Sequence, residues 1–193
     1  QTRKWIAASL STRLDLGTSM KALTLLLNLT LLLTACQSTR PPIHTVEKVD
    51  LARFMGPWYV IANIPTFIEE TAYNAVESYR LDTDGTIATT FTFREGAFEG
   101  PEKRYEPRGF VVDRKSNAIW DMQFFWPFKS DFRIIYLSDD YGTTIIGREK
   151  RDYIWIMARK PVIDATELQK LIRFAGEQGY DTQLIRSVPQ QWH

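Results

Sequence analysis

The residue types that carry most protein chemistry are scarce in this chain. It has one cysteine, Cys36, and two histidines, His44 and His193, and all three lie outside the patterned region of the sequence. Neither histidine is placed to serve a Ser–His–acid triad, and no Gly-x-Ser-x-Gly motif is present. A single cysteine excludes an intrachain disulfide, and no Cys/His metal site is expected within the fold. The sequence therefore predicts neither an enzyme nor a metal or cofactor site, and carboxylate-only catalysis is the remaining enzymatic alternative.

The charge distribution argues against a nucleic-acid partner. The formal charge of the whole chain is +1, but the part from Cys36 onward has 20 Lys and Arg against 22 Asp and Glu, a balance of about −2. Proteins that bind nucleic acid generally present a basic face to the phosphates. Aromatic residues make up 13% of the chain, which instead favours a protein built around an apolar interior.

The front of the chain has the pattern of an export signal. Met20 and Lys21 precede an apolar run over 22–33, which ends at Leu33-Thr34-Ala35-Cys36. A basic start, an apolar core of this length and small residues before a cleavage site are typical of a secretory signal. The ending is similar to a bacterial lipobox, and this resemblance implies a lipid anchor at Cys36 and, because Gln37 follows, sorting to the outer membrane. A plain cleaved signal and a buried thiol are the alternatives.

These features predict four segments. Residues 1–19 form an upstream extension that is not expected in the mature protein, and residues 20–35 form the signal peptide. Residues 36–48 form a lipidated tether rich in Ser, Thr and Pro, and residues 49–193 form the domain.

The domain has the pattern of an all-β barrel followed by one helix. Alternating runs of β-branched and aromatic residues are separated by turn-forming residues. They predict eight strands at 58–64, 75–81, 87–93, 108–113, 119–125, 132–137, 143–147 and 153–159. Eight antiparallel strands joined by short loops favour a closed up-and-down barrel over an immunoglobulin-like sandwich. A capping box at 164–167 and an apolar stripe through Leu168, Leu171, Ile172 and Ala175 predict a helix packed outside the barrel, and residues 184–185 are expected to add an edge strand.

Three separated motifs carry a resemblance to a known family. They are Gly56-Pro57-Trp58-Tyr59 on the first strand, Leu137-Ser138-Asp139-Asp140-Tyr141 between the sixth and seventh strands, and the eighth strand from Tyr153 to Arg159. In this order they resemble a lipocalin, and within that family the bacterial, apolipoprotein D-like lipoproteins of the outer membrane. The middle motif has Ser-Asp-Asp-Tyr where many relatives have Thr-Asp-Tyr.

The barrel topology gives these motifs a structural role. The start of the first strand, the end of the eighth and the turn between the sixth and seventh meet at one rim. We therefore expect Trp58 and Arg159 to stack and close the barrel floor. The residues assigned to this floor are Gly56, Trp58, Asp140, Tyr141 and Arg159.

Alternation along the strands predicts which side chains face the interior. Phe93 and Glu77 belong to this set, and the residues predicted to line a cavity are Tyr79, Phe91, Trp120, Met122, Phe124, Phe132, Ile134, Tyr136, Tyr153 and Trp155. The residues alone leave two readings open, a filled core and an apolar pocket, and the lipocalin resemblance favours the pocket.

The four loops at the opposite rim should form the mouth of the barrel. Their aromatic residues are expected to admit an acyl chain, although a dimer patch or a contact with the bilayer would suit them equally. Their cations are candidate contacts for a phosphate or carboxylate. The residues assigned to the mouth are Phe67, Phe98, Trp126, Phe128, Lys150 and Arg151.

The sequence thus predicts a non-enzymatic carrier that binds fatty acids or lysophospholipids at the outer membrane, for storage, transport or repair of envelope lipids. A homodimer is compatible with this interpretation. The alternatives are a structural envelope module with a filled barrel and a binder of another hydrophobic ligand such as haem, for which Tyr79 or Tyr136 would have to supply the axial ligand.

Overall fold

The computed structural model describes residues 40–192. Two helices flank the sheet in sequence, α1 (Leu51–Phe54) and α2 (Ala165–Glu177), and a 3₁₀ turn follows at Thr182–Leu184. The strands are β1 (Gly56–Ile64), β2 (Ala72–Leu81), β3 (Thr86–Glu95), β4 (Glu102–Tyr105), β5 (Arg108–Val111), β6 (Ile119–Phe125), β7 (Phe128–Leu137), β8 (Thr143–Gly147), β9 (Ile154–Ala158) and β10 (Arg186–Ser187).

The strands form the closed antiparallel barrel that the sequence predicts. Each wall strand pairs with its neighbours, and β9 pairs with β1 to close the circuit. The short strands β4 and β5 both pair with β3, so together they occupy one wall position that is interrupted near Pro107. Proline lacks the N–H that a continuous ladder would need. The eight-stranded barrel is therefore confirmed, and β4 is an additional segment that the sequence analysis did not identify.

Register shifts interrupt four strand pairings, β1–β9, β2–β3, β6–β7 and β7–β8, and those in β1 and β7 change the face on which predicted residues lie. The register of β1 shifts between Val60 and Ala62, and that of β7 shifts between Ile134 and Tyr136. An extra residue in one strand turns every later side chain to the other face. Simple alternation along β1 predicts that Trp58, Val60, Ala62 and Ile64 share one face. This prediction is wrong, because Trp58 and Val60 pack in the inner cluster whereas Ala62 and Ile64 pack in the outer cluster beneath α2. The placement expected for Tyr136 is wrong for the same reason, since its ring packs 5.4 Å from that of Phe174 on α2.

Helix α2 packs on the outside of the barrel, as predicted. Asp164 caps it by accepting a hydrogen bond from the Thr166 N–H at 2.7 Å, and Leu171 and Ala175 are buried against the outer face of the sheet. The expected edge strand lies two residues later than predicted. It is β10, which pairs with Ala62 and Asn63 of β1.

The floor of the barrel is closed by α1 and Arg159. The guanidinium of Arg159 donates to the carbonyl oxygens of Arg53, Phe54, Met55 and Pro57 at 2.8–2.9 Å. Its central carbon lies 3.8 Å from the Trp58 ring centroid, which is the stack expected from the sequence. Gly56 has φ of +93°, and a side chain there would come within 3.4 Å of the same guanidinium.

The other two floor residues tie neighbouring turns together. The Tyr141 hydroxyl accepts a hydrogen bond from the Asp50 N–H at 2.9 Å, and the Arg53 guanidinium lies 3.9 Å above the Tyr141 ring. Asp140 accepts from the Ser138 hydroxyl at 2.6 Å, and this bond holds the pKa of its carboxyl below the usual value.

The chain enters the domain along the barrel wall. The Ile43 N–H donates to Glu149 in the β8–β9 turn, the Val46 N–H to Ile134 and the Val49 N–H to Ser116. Residues 43–48, expected to belong to the tether, are therefore docked on the barrel. Cys36 and the predicted signal peptide lie outside the described residues.

Candidate functional site

The interior of the barrel has a packed lower part built from aromatic rings. The Phe54 ring lies 5.1 Å from that of Trp58, 5.6 Å from Tyr79 and 5.7 Å from Trp120, and Trp120 stacks on Phe132 at 4.8 Å. Four of the residues predicted to line the cavity belong to this core without lining the cavity above it: Tyr79, Phe91, Trp120 and Ile134. Phe54 of helix α1 fills the lower part of the interior. The two alternatives left open by the sequence, a filled core and an apolar pocket, therefore each describe one part of the interior.

The upper part of the interior holds a cavity of about 360 Å³. Five of the residues predicted to line a cavity do so: Met122, Phe124, Phe132, Tyr153 and Trp155. Small-molecule pockets range from about 300 to 1,000 Å³, so this volume suits a single slender ligand. A larger depression of about 730 Å³ lies outside the barrel between the β7–β8 turn and α2, and many of its lining residues are charged. The cavity inside the barrel is the site with apolar walls.

Two buried carboxyl groups interrupt the apolar lining. Glu69, 5% exposed, lies in the β1–β2 loop and accepts hydrogen bonds from the Trp155 indole N–H at 2.8 Å and from the Thr66 N–H and hydroxyl at 2.9 and 2.8 Å. Burial raises the pKa of its carboxyl, and these three donors oppose the rise. Glu69 thus fixes the Trp155 ring against the cavity wall.

Glu77 lies deeper and has fewer partners. It is 8% exposed and faces the interior from β2, opposite Trp58 of β1. The Tyr79 hydroxyl donates to Glu77 Oε2. Burial raises the pKa of the Glu77 carboxyl to about 7; the negative charge of Glu69 adds to the rise and the bond from Tyr79 opposes it. Burial also raises the pKa of Tyr79, so its hydroxyl remains a donor.

The rim of the cavity carries exposed aromatic side chains. Phe67, Phe125, Trp126 and Phe128 are between 67% and 85% exposed, and three of them, Phe67, Phe125 and Phe128, line the cavity entrance. We call these four residues the aromatic rim. Phe98 does not belong to it, because its ring packs 5.0 Å from Tyr73 beside a separate surface depression. Phe125 was not predicted at the mouth, because alternation places it at the end of the strand over 119–125.

The cations predicted at the mouth are placed differently from one another. Lys150 is exposed at the tip of the β8–β9 turn. The Arg151 side chain is 5% exposed, and its guanidinium donates to the carbonyl oxygens of Gln178 and Glu149 at 3.1 and 2.7 Å. These bonds hold Arg151 at the end of α2, which corrects its expected place among the cavity-mouth residues.

Among the described residues, Lys129 and Arg148 are the two cations that line the cavity. The Lys129 ammonium lies 3.6 Å from Asp121 and 4.1 Å from the Phe110 ring centroid. Arg148 is held differently. Its guanidinium lies 5.1 Å from the Tyr153 ring centroid and 3.4 Å from Asp152, and its Nε is buried without a hydrogen-bond partner in the described structure. Ile146 packs in the inner cluster. Extending that inward alternation by two residues would have pointed to Arg148 from sequence.

The barrel is closed, is packed at one end and holds an apolar cavity that opens at the other end. This architecture is typical of proteins that bind small hydrophobic ligands. The model of the lipocalin-like domain matches residues 49–190. The chain therefore belongs to the lipocalin-like family, and the resemblance carried by the three sequence motifs is confirmed.

Among the proteins similar to this chain are bacterial and plant relatives and an insect protein that shares its fold. The outer membrane lipoprotein Blc of Vibrio cholerae is 26% identical over 175 residues, which cover 89% of this chain and 100% of the relative. Temperature-induced lipocalin-1 of Arabidopsis thaliana is 27% identical over 154 residues, which cover 77% of this chain and 83% of the relative. Insecticyanin from the tobacco hornworm Manduca sexta shares the fold, with a TM-score of 0.61 and 15% identity. The superposition covers 79% of this chain and 86% of the insecticyanin chain.

The fold and these relatives indicate binding of a lipid or another hydrophobic ligand, and members of the family are typically carriers rather than enzymes. In the described part of the chain, no group of His, Cys, Asp and Glu side chains is arranged to hold a metal ion. Between residues 40 and 192, no helix has both the length and the apolarity to cross a bilayer.

Proposed function

We propose that this protein is a lipid carrier of the bacterial outer membrane, anchored on the periplasmic side through a lipidated Cys36. Its ligands are fatty acids or lysophospholipids, which it holds for storage, transport or repair of envelope lipids. The observation that carries the proposal is the apolar cavity above the aromatic floor, open at a rim of exposed aromatic residues. The similarity to the outer membrane lipoprotein Blc supports the proposed location.

The size and walls of the cavity favour one acyl chain. Trp155, Phe132 and Met122 offer apolar surface on different strands, and each buried CH₂ group contributes about 0.8 kcal/mol. A volume of about 360 Å³ leaves no room for a second chain of similar length. This favours fatty acids and lysophospholipids over lipids with two long chains.

The charges favour one orientation of the ligand. Glu69 and Glu77 lie in the interior and would repel an anionic headgroup, whereas Arg148 lies nearer the entrance with an unpaired Nε. Arginine binds carboxylates and phosphates through several N–H donors. We therefore expect the chain to enter first and the anionic group to remain beside Arg148.

The path of the N-terminal segment favours a mouth that faces the membrane. Ile43 is bonded to Glu149 at the open rim, and the chain runs from there toward the floor. Ile43 follows Cys36 by seven positions, and an extended chain of seven steps spans at most about 25 Å. A lipid on Cys36 would hold the aromatic rim close to the bilayer, where Phe67 and Trp126 would contact the lipid surface.

The proposal is tested by titrating the stripped protein that begins at Cys36 with hexadecanoic acid, a palmitoyl lysophospholipid and haem. Calorimetry gives the stoichiometry, and tryptophan fluorescence reports on the cavity wall through Trp155. We expect one lipid per barrel at micromolar or lower concentration. In a Trp155→Phe variant, most of the fluorescence change should disappear while the heat of binding remains.

Two results would contradict the proposal. If neither lipid binds, the barrel is a structural module or has another ligand. If haem binds and the lipids do not, the protein is a pigment carrier.

A further inference from the structure

One carboxyl oxygen inside the cavity is left without a partner. Glu77 lines the cavity and is 8% exposed. Within residues 40–192, its hydrogen bond is the one that Tyr79 donates to Oε2. Its other oxygen, Oε1, is therefore an acceptor available to whatever occupies the cavity.

This arrangement is costly for a protein that holds only a plain hydrocarbon chain. Burying a carboxyl group without hydrogen bonds opposes folding, and a Leu at the same position would add apolar surface instead. Glu69 differs, because three donors engage its two oxygens. Of the two buried carboxyls in the lining, one is thus satisfied by the protein and the other is only half satisfied.

Glu77 lies far from the anionic end of the expected ligand. It is five residues along β2 from Ala72, where the strand begins at the open end. At about 3.3 Å per residue and a strand tilt near 40°, this places it roughly 13 Å below the rim. Arg148 lies in the β8–β9 turn at the rim itself. A group that reaches Glu77 must therefore be well down the chain.

We propose that Glu77 Oε1 is a subsite for a hydroxyl group on the ligand's acyl chain, so that the preferred ligand is a long-chain amphiphile hydroxylated away from its anionic end. The inference rests on the proposed lipid-carrier function and names its substrate class. A hydroxyl donates the one bond that Oε1 lacks and adds no charge to the cavity. A second carboxylate there would be repelled by Glu69 and Glu77, and an ammonium would have to lose all of its hydration among apolar walls.

The protonation behaviour of Glu77 is compatible with this role. Its pKa of about 7 makes both the carboxylate and the carboxylic acid accessible near neutral pH. The carboxylate accepts a hydrogen bond at Oε1, whereas the acid, with Oε2 accepting from Tyr79, carries its proton on Oε1 and donates. A ligand hydroxyl can pair with either form, because it both donates and accepts. The Tyr79 hydroxyl fixes the orientation of the group in both cases.

The test measures the affinities of hexadecanoic acid and its 3-, 12- and 16-hydroxy derivatives by competition against a fluorescent fatty acid. We expect the 12- or the 16-hydroxy acid to bind about tenfold more tightly than hexadecanoic acid, as for one well-formed hydrogen bond to a charged or buried group. The 3-hydroxy acid should show no gain, because its hydroxyl stays near Arg148. A preference for the 3-hydroxy acid, or tighter binding of 16-aminohexadecanoic acid, would overturn the assignment.

Variants separate this subsite from a structural role of Glu77. The double variant Glu77→Leu/Tyr79→Phe removes the carboxyl and its donor together, so no hydroxyl is left buried and unpaired. It should lose the hydroxyl preference and bind hexadecanoic acid at least as tightly as the unmodified protein. In Glu77→Gln the amide oxygen accepts from Tyr79 and the NH₂ group takes the place of Oε1, where it can donate to the ligand hydroxyl, so this variant should keep part of the preference. An unchanged preference in the double variant would refute the proposal.

The outcome also distinguishes this inference from the proposed function. If hexadecanoic acid and all of its derivatives fail to bind, the lipid-carrier proposal fails. If hexadecanoic acid binds and no hydroxylated derivative binds more tightly, only the Glu77 subsite is refuted.

Discussion

The buried carboxyl of Glu77 should make the stability of the protein depend on pH in a defined direction. In the folded protein its pKa is about 7, raised from 4.5 first by burial and then by the charge of Glu69. Between these two values, the folded state keeps a proton that the unfolded chain has lost. The contribution of Glu77 to the free energy of unfolding is therefore fully present below about pH 4.5 and is lost as the pH rises through 7. Once the pH is well above 7, the free energy of unfolding has fallen by about 3 kcal/mol because of this group.

The substitution Glu77→Gln removes this decline without changing the shape of the side chain. Its amide oxygen still accepts the hydrogen bond from Tyr79, and it has no proton to lose. We expect the variant to be more stable than the unmodified protein by about 2–3 kcal/mol at pH 8 and nearly equal to it at pH 5. The carboxyl of Glu69 is present in both proteins, so its own contribution largely cancels in the comparison.

Urea denaturation at several pH values from 4.5 to 9, followed by circular dichroism, measures the difference directly. A decline of stability with pH that is the same in both proteins would refute the reasoning, since it would place the titrating group elsewhere. Equal stability at pH 8 would show that Glu77 ionises without cost and is hydrated in the cavity.

Three further perturbations test the floor, the wall and the anchor. Arg159→Ala should lower the free energy of unfolding by about 3 kcal/mol and the melting temperature by roughly 10 °C. The reason is that four backbone carbonyls and the Trp58 ring lose their contact with the guanidinium. A shift below about 2 °C in a thermal melt would contradict this. Trp155→Ala should weaken lipid binding at least tenfold in calorimetry, whereas Trp192→Ala, whose ring packs on Tyr59, should not; equal effects would remove Trp155 from the site. Cys36→Ser should move the protein from the membrane to the soluble periplasmic fraction, and continued membrane association would argue against a lipid anchor.

Much of the architecture was predictable because alternation of apolar and polar residues is a local property. The spacing of residues in the sequence predicts the strand positions, the helix α2 capped by Asp164, and the Trp58–Arg159 stack. The expectation was wrong where one extra residue enters a strand. The bulge near Ala62 lies where β1 pairs with the distant strand β9, and the bulge near Tyr136 lies where β7 pairs with β8. The types of these residues reveal neither bulge.

The candidate site was predictable only in part, for a related reason. Met122, Phe124, Phe132, Tyr153 and Trp155 were correctly expected to line a cavity. The depth of that cavity depends on Phe54, which a four-residue helix inserts between Trp58, Tyr79 and Trp120. Arg151 was expected at the cavity mouth, but its guanidinium finds a carbonyl acceptor at the end of α2, far away in sequence. Arg148, which had no predicted role, lines the cavity instead.

The sequence by itself determined the barrel, its outer helix and the family, since these depend on periodicity and on short motifs. The tertiary structure alone decided which part of the interior is filled and which is open. It also decided that Glu69 is satisfied by Trp155 and Thr66 while Glu77 keeps an unpartnered oxygen. Burial and hydrogen bonding depend on groups brought together from distant strands, and the chemistry of the cavity is set by those contacts.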